Sequence, residues 1–293
     1  MKNIPLIVIL GETATGKTEL AIEIAKRLNG EIINADSWII RKEANIGTAK
    51  PSLSQQRQIK HYLIDCVSPD QEFTVAGYKK MALDAIDQIY QRNKIPIIVG
   101  GSGLYINSII FNYSFRKDAT DDERKRSELN ALSLDQLKNI ALNKKLDLES
   151  IDSNNKRRLI RLIETNGAQN HDNKLRDNTI LIGIKMDRSE HRNVVINRVE
   201  KMINNGLKEE VKYLSQKYGW DSEICKGVGY RQWKEYFDNQ QDLELTKLKI
   251  VQATINLAKK QRTWFKKNNY IKWFNYPLNI DEIIEYITTH IVI

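Results

Sequence analysis

One stretch constrains this chain more than any other: residues 6–28, LIVILGETATGKTELAIEIAKRL. A short, continuous run of Ile, Val and Leu over 4–10 reads as a buried strand. Gly11, Glu12, Thr13, Ala14, Thr15, Gly16, Lys17 and Thr18 then follow the pattern G-x-x-x-x-G-K-[ST]. A helical pattern over 17–28 comes next, with Leu20, Ala21, Ile24 and Leu28 apolar. A chance match in a glycine turn would lack this strand-before, helix-after context. Backbone N–H groups of such a loop converge on phosphate oxygens, and the helix N-terminus adds favourable partial charge. Lys17 is placed to neutralise terminal phosphates, and Thr18 to offer its hydroxyl to a magnesium ion.

The alternation continues. Residues 30–37 read as a strand ending at Asp36, 61–67 as a third strand, 73–93 as a helix, and 94–110 as a strand, a glycine turn and a helix. Strands alternating with helices indicate a parallel sheet with crossover helices. From about 118 to 166 the strand signal is lost and charged, amphipathic helical patterns replace it; residues 178–186 restore a strand. The remainder reads as mostly helical, through 245–267 to an apolar tail. The expected fold is therefore α/β: a P-loop NTPase-like core with a parallel sheet, from 1–112 and 178–293, interrupted by a helical insertion domain over 113–177.

A net charge of +9 over 293 residues is compatible with a polyanionic partner but does not name one. Cys66 and Cys225 are far apart with no C-x-x-C, so neither a zinc site nor a disulfide framework is expected. Both read as buried thiols in a reducing compartment. The N-terminal apolar run passes straight into the phosphate loop, unlike a signal peptide. No stretch approaches the roughly twenty apolar residues of a membrane span. A cytoplasmic, monomeric protein with no membrane partner is expected.

Other segments admit two readings each. Asp36, at the carboxyl end of a strand, suits a magnesium ligand or a general base, and equally a helix cap. The glycine turn VGGSGLY (99–105) allows close backbone approach to a ligand, or simply joins strand to helix. Arg157, Arg158 and Arg161 share a helical face that could grip RNA phosphates or merely be solvated. KGVGYRQW (226–233) and KKQRTWFKK (259–267) mix aromatic rings with cations, as single-stranded RNA recognition requires, but core packing under a basic exterior looks the same.

In this order the pieces resemble the tRNA dimethylallyltransferases, also called isopentenyl-tRNA transferases. The likeness runs through GETATGKT, NADS, NIGTAKP (45–51), HYLID, VGGSGLY, RRLIRLIE, GLKEEVKYL (206–214), GVGYRQ and LAKKQRTWF. It implies that the loop holds the diphosphate of dimethylallyl diphosphate, and that the acceptor is N6 of the adenosine just 3′ of a tRNA anticodon. It implies Asp36 as base, Thr13 near the leaving oxygen, Lys17 on the diphosphate, Mg²⁺ on Thr18, and Arg124 reaching toward the diphosphate. Contacts to the tRNA anticodon loop fall on Asp36, Ser37, Trp38, Ile39, Ser102, Arg157, Arg158, Arg161, Gly229, Tyr230, Arg231, Lys259, Lys260, Gln261 and Trp264. The chain departs from the family after Ser37. Ile39 replaces a glutamine that helps read the adenine, and Arg41 replaces a tyrosine. Gly77 stands where an acidic residue is common, and Ile255 and Asn256 where Arg-Gln is usual. An ATP-dependent small-molecule kinase, a catalytically weakened RNA-binding paralogue and a transferase acting on free adenine nucleotides are the alternatives.

Overall fold

The structure, a computed structural model, describes residues 4–113, 119–149, 151–167 and 174–292. It has two compact units, Met1–Ile110 with Leu175–Ile293, and Phe111–Lys174.

The first unit opens with β1 (Leu6–Gly11), α1 (Lys17–Arg27), β2 (Gly30–Asn34), α2 (Leu53–Gln58), β3 (His61–Tyr62), α3 (Val75–Gln91), β4 (Ile95–Gly100) and α4 (Gly103–Ile110). The second unit holds α5 (Ala119–Ala131), α6 (Leu134–Asn143) and α7 (Lys156–Thr165). The chain then returns to the first with β5 (Thr179–Lys185), α8 (Arg188–Asn204), α9 (Leu207–Tyr218), α10 (Lys234–Phe237), α11 (Leu243–Phe265), β6 (Ile271–Asn275) and α12 (Ile280–His290).

All six strands pair in parallel, in the order β3-β2-β4-β1-β5-β6. β1 lies between β4 and β5 and is buried along its whole length, which explains its unbroken apolar sequence. Ile7, Ile9, Ile97 and Ile182 meet Leu20, Ala21 and Ile24 of α1 and Ile283 and Ile287 of α12 in one core. A second core joins Val195 and Val199 of α8, Val211 and Leu214 of α9, Trp233, and Ile250 and Val251 of α11.

The α/β core with a parallel sheet and a purely helical segment over the described residues of 111–174 agrees with the sequence reading of the fold. That segment packs Leu137 and Ala141 of α6 on Leu159, Ile160 and Ile163 of α7. Ser133 and Gln136 form a capping box at the start of α6, and Asn155 caps α7.

Three local expectations change. The third strand is only His61–Tyr62, because Leu63 (φ 60°) and Asp65 (φ 55°) take left-handed backbone and break the ladder. The apolar tail is an edge strand, β6, followed by the amphipathic helix α12. Cys66 is exposed at the turn after β3, whereas Cys225 is buried as expected.

Candidate active site

The phosphate-loop motif leaves the carboxyl end of β1 in the middle of the sheet. Gly16 begins α1 at φ 81°, a conformation that strains a residue with a side chain. Thr15 Oγ1 donates to the Glu12 carbonyl at 2.9 Å, and Lys17 Nζ donates to the same carbonyl, folding the loop back over the start of α1. Thr13 donates its N–H to Gln261 Oε1 at 2.8 Å, and its carbonyl accepts from His191 Nε2 at 2.9 Å.

The facing wall comes from the ends of β2 and β4. Asn34 Nδ2 donates to the carbonyls of Asp36 and Leu63, both at 3.0 Å, while Asn34 Oδ1 accepts the Asp36 N–H at 3.1 Å. This turns the chain so that Asp36 lies two residues past the strand end rather than at it. One carboxylate oxygen, Oδ1, accepts the Trp38 N–H at 2.8 Å, as a cap would, and its other oxygen has no partner among the described residues. Asp36 also lines the cavity, so the cap and the site coexist in one side chain. A Cβ at Gly100 would lie 2.1 Å from the Ala35 carbonyl oxygen, so only glycine lets the two strand ends meet. Ser102 N donates to Ala35 O at 3.1 Å, and Ser37 N donates to Ser102 Oγ at 3.1 Å, locking the two turns together.

Between these walls lies a cavity of about 160 Å³. Lys17, Thr18, Asp36 and Arg198 line it with polar groups, and Ile39, Ile64 and Pro51 with apolar ones. Burial pulls the Lys17 ammonium down to about 8; nearby Asp36 opposes the shift, and Arg198 adds to it. Burial likewise lowers Arg198, opposed by Asp36 and Glu19. Lys17 and Arg198 are two partly buried cations in a lining whose carboxylates are Asp36 and the exposed Glu19, and desolvation of both makes each cation better served by an added anion.

Sequence reasoning missed Arg198. It lies three residues after the buried Val195 and one before the buried Val199, on the core-facing stripe of α8. An arginine interrupting such a stripe was the available signal.

The remaining candidates separate. Lys259, Lys260, Trp264 and Arg231 are exposed, and so are Arg157 and Arg158; Arg161 is paired with Glu164 at 3.7 Å. Gly229, at φ 93°, lets its turn pass close to Gly47 O. Arg124 is exposed on α5, in the second unit. Three residues read as RNA contacts make contacts within the protein. Tyr230 is 1% exposed, its hydroxyl donates to Glu210 at 2.8 Å, and its ring fills the space a side chain at Gly47 would need, so it is not a stacking platform. Trp38 packs over Gly227 and under the Arg41 guanidinium. Gln261 bridges Thr13 and Gly101.

The divergent 38–43 segment is well anchored. Arg41 is buried, and its Nη1 donates to the carbonyls of Ser68, Pro69 and Gln71 at 3.2, 3.2 and 2.8 Å. Glu43 accepts from Tyr213, Tyr218 and Lys217 of α9.

A family model described as IPP transferase matches residues 40–268. The chain is 42% identical to a tRNA dimethylallyltransferase of Acetivibrio thermocellus over 289 residues, covering 92% of this chain and 91% of that one. The chain belongs to the IPP transferase family. The crystal structure of a tRNA delta(2)-isopentenylpyrophosphate transferase from Staphylococcus epidermidis, 34% identical, superposes on it with a TM-score of 0.73 over 98% of each chain. A eukaryotic dimethylallyltransferase, crystallised acting on tRNA, shares the fold at 22% identity, with a TM-score of 0.80 over 93% of this chain and 74% of that one. The cavity thus lies in an IPP transferase, at the carboxyl ends of parallel strands, where open α/β sheets bind ligands.

Proposed function

We propose that this IPP transferase moves the dimethylallyl group of dimethylallyl diphosphate onto N6 of the adenosine just 3′ of a tRNA anticodon, releasing diphosphate. The observation that carries the reading is the cavity's division, with Lys17 and Arg198 among its polar lining and Ile39 and Ile64 among its apolar lining. A short apolar alcohol esterified to diphosphate has the same division. In this reading the N6 nitrogen attacks C1 of the allyl group, the C1–O bond breaks, and the electron pair leaves on the diphosphate oxygen. Lys17, Arg198 and the loop amides stabilise the charge that builds there. Asp36 takes the N6 proton, using the carboxylate oxygen not spent on Trp38. The target base must leave its stack to arrive, and exposed Lys259, Lys260, Trp264 and Arg231 are suited to hold the splayed loop. The proposed place of action is the cytoplasm; no helix among the described residues is long and apolar enough to cross a membrane.

The residues fit a magnesium ion. Thr18 lines the cavity with a hydroxyl that makes no hydrogen bond among the described residues, and Asp36 stands in the same lining. Magnesium is commonly held by one or two protein oxygens together with substrate phosphates. When bound, it would neutralise the leaving diphosphate.

The test is mass analysis of nucleosides from tRNA incubated with the protein, dimethylallyl diphosphate and Mg²⁺. An adenosine heavier by one C5H8 unit is expected. Consumption of ATP without prenylation would give the protein to the kinases instead.

A further inference from the structure

Thr13 is gripped from both sides. Its N–H goes to Gln261 Oε1 at 2.8 Å and its carbonyl to His191 Nε2 at 2.9 Å. These bonds engage the peptide units on either side of the Thr13 Cα. Together they fix its backbone, and with it the point from which its side chain projects. The other end of Gln261, Nε2, donates to the Gly101 carbonyl at 3.1 Å. A backbone N–H requires the acceptor end of the amide and a carbonyl requires the donor end, so the orientation of Gln261 is forced by its partners. A Cβ at position 101 would lie 2.3 Å from that Nε2, so the turn is bare where the amide enters it. Gly101 leads into Ser102, whose hydroxyl accepts the Ser37 N–H next to Asp36. One side chain of α11 therefore ties the phosphate loop to the wall that carries Asp36. His191 is buried at the start of α8 and must carry its proton on Nε2 to donate to a carbonyl.

We propose that Gln261 and His191 are positioning residues, which hold the Thr13 hydroxyl toward the leaving diphosphate, Gln261 also setting the distance between the phosphate loop and the 100–102 turn. The proposal rests on the prenyl-transfer reading above. It takes Gln261 out of the RNA contacts, since both ends of its amide are engaged within the protein.

The test uses the full chain with Gln261→Met, which keeps length without the hydrogen bonds, together with His191→Leu and His191→Gln, the last able to present an amide N–H in place of Nε2. Under single turnover with saturating donor and tRNA, Gln261→Met and His191→Leu are each expected to lose about 10–100-fold in rate, the scale of a misplacement near 1 Å. tRNA affinity should stay within about twofold, and His191→Gln should recover most of the loss. Because His191 acts only through Thr13, His191→Leu placed in a Thr13→Ala background should cost little more than Thr13→Ala alone. Hydrogen exchange of peptides spanning 11–16 reads the clamp independently of activity, and should be faster in Gln261→Met. Weaker tRNA binding with the saturated rate intact would make Gln261 an RNA contact and overturn the proposal. Full additivity with Thr13→Ala, or unchanged exchange over 11–16, would overturn it too. A wild-type protein that prenylates nothing would instead overturn the underlying reading, with the exchange result still deciding the clamp.

Discussion

Lys17 stays an ammonium only against the pull of its surroundings, and that makes it a pH probe. Its value of about 8, down from 10.5, means the folded protein releases this proton before the unfolded chain does. Between those values the unfolded state binds more protons, so this group makes stability rise with pH. Donor binding runs the other way, because an anion prefers the ammonium. Donor affinity, measured at fixed Mg²⁺, is expected to be flat below about pH 8 and to weaken above it. Lys17→Arg should lower affinity overall and abolish that break, since a guanidinium does not titrate there. Asp36→Asn should cut the single-turnover rate by about 10²–10⁴-fold while donor affinity changes little. Loss of donor affinity rescued by excess Mg²⁺ would instead make Asp36 chiefly a metal ligand. Both side chains were legible in the sequence because each sits at or just beyond a local strand-to-loop signature. Arg198 was not: α8 is far away in sequence and is brought to the loop by the parallel pairing of β5 with β1. Tyr230 misled for a related reason, since a ring and a cation side by side look the same whether the ring faces water or, as here, the core.

Helices divide the work between holding the site and presenting charge. On α9, Glu210 accepts N–H bonds from Asn45, Ile46 and Gly47 at 2.8, 2.8 and 2.9 Å and the Tyr230 hydroxyl at 2.8 Å. It thereby fixes the segment that leads to Thr48 and Pro51 in the cavity lining. Removing these acceptors in Glu210→Ala should cost about 3 kcal/mol, a fall of roughly 5–10 °C in Tm, measured by thermal melting. On α7, Arg157 and Arg158 are exposed while Arg161 is drawn toward Glu164. Neutralising the first two should therefore flatten the salt dependence of tRNA binding, by a slope of up to about one for each phosphate left without its cation, and Arg161→Ala should add less. An unchanged slope would mark the patch as an ordinary solvated face. Elements that carry their own periodicity, such as α1, α3 and β1, were legible. β6 was not, because IKWFN is short and exposes Lys272 and Asn275 at the sheet edge, and what identifies it as a strand is pairing with β5. The opposite error, a third strand running through 67, came from an apolar run that could not show its own left-handed residues.

The whole molecule is a sheet interrupted once, and the loss of strand signal after Tyr113 was enough to reveal the interruption. The hydrogen bond at its seam was not visible in the sequence. The chain leaves the first unit after Ile110 and re-enters at Leu175, and the Arg176 N–H donates to the Ile110 carbonyl at 2.7 Å. Arg176 Nη1 also donates to the Ile4 carbonyl at 2.8 Å, just before β1. Replacing 111–174 by a short Gly/Ser connection should leave a folded protein, since the closure term grows by only about 0.6 kcal/mol per doubling of loop length. Cooperative melting and retained donor binding would show this, whereas an unfolded product would make the helices part of the core's stability. Seen from the sheet, the second unit is one long excursion from the chain, and the Arg176–Ile110 hydrogen bond joins the residues between which it departs and returns. Departure and return at one point make it a cassette: lengthening, trading or rebuilding it asks no strand to change its neighbours. The part of the protein that carries Arg124 and the α7 cations can therefore diversify in evolution at a different tempo from the part that carries Lys17 and Asp36.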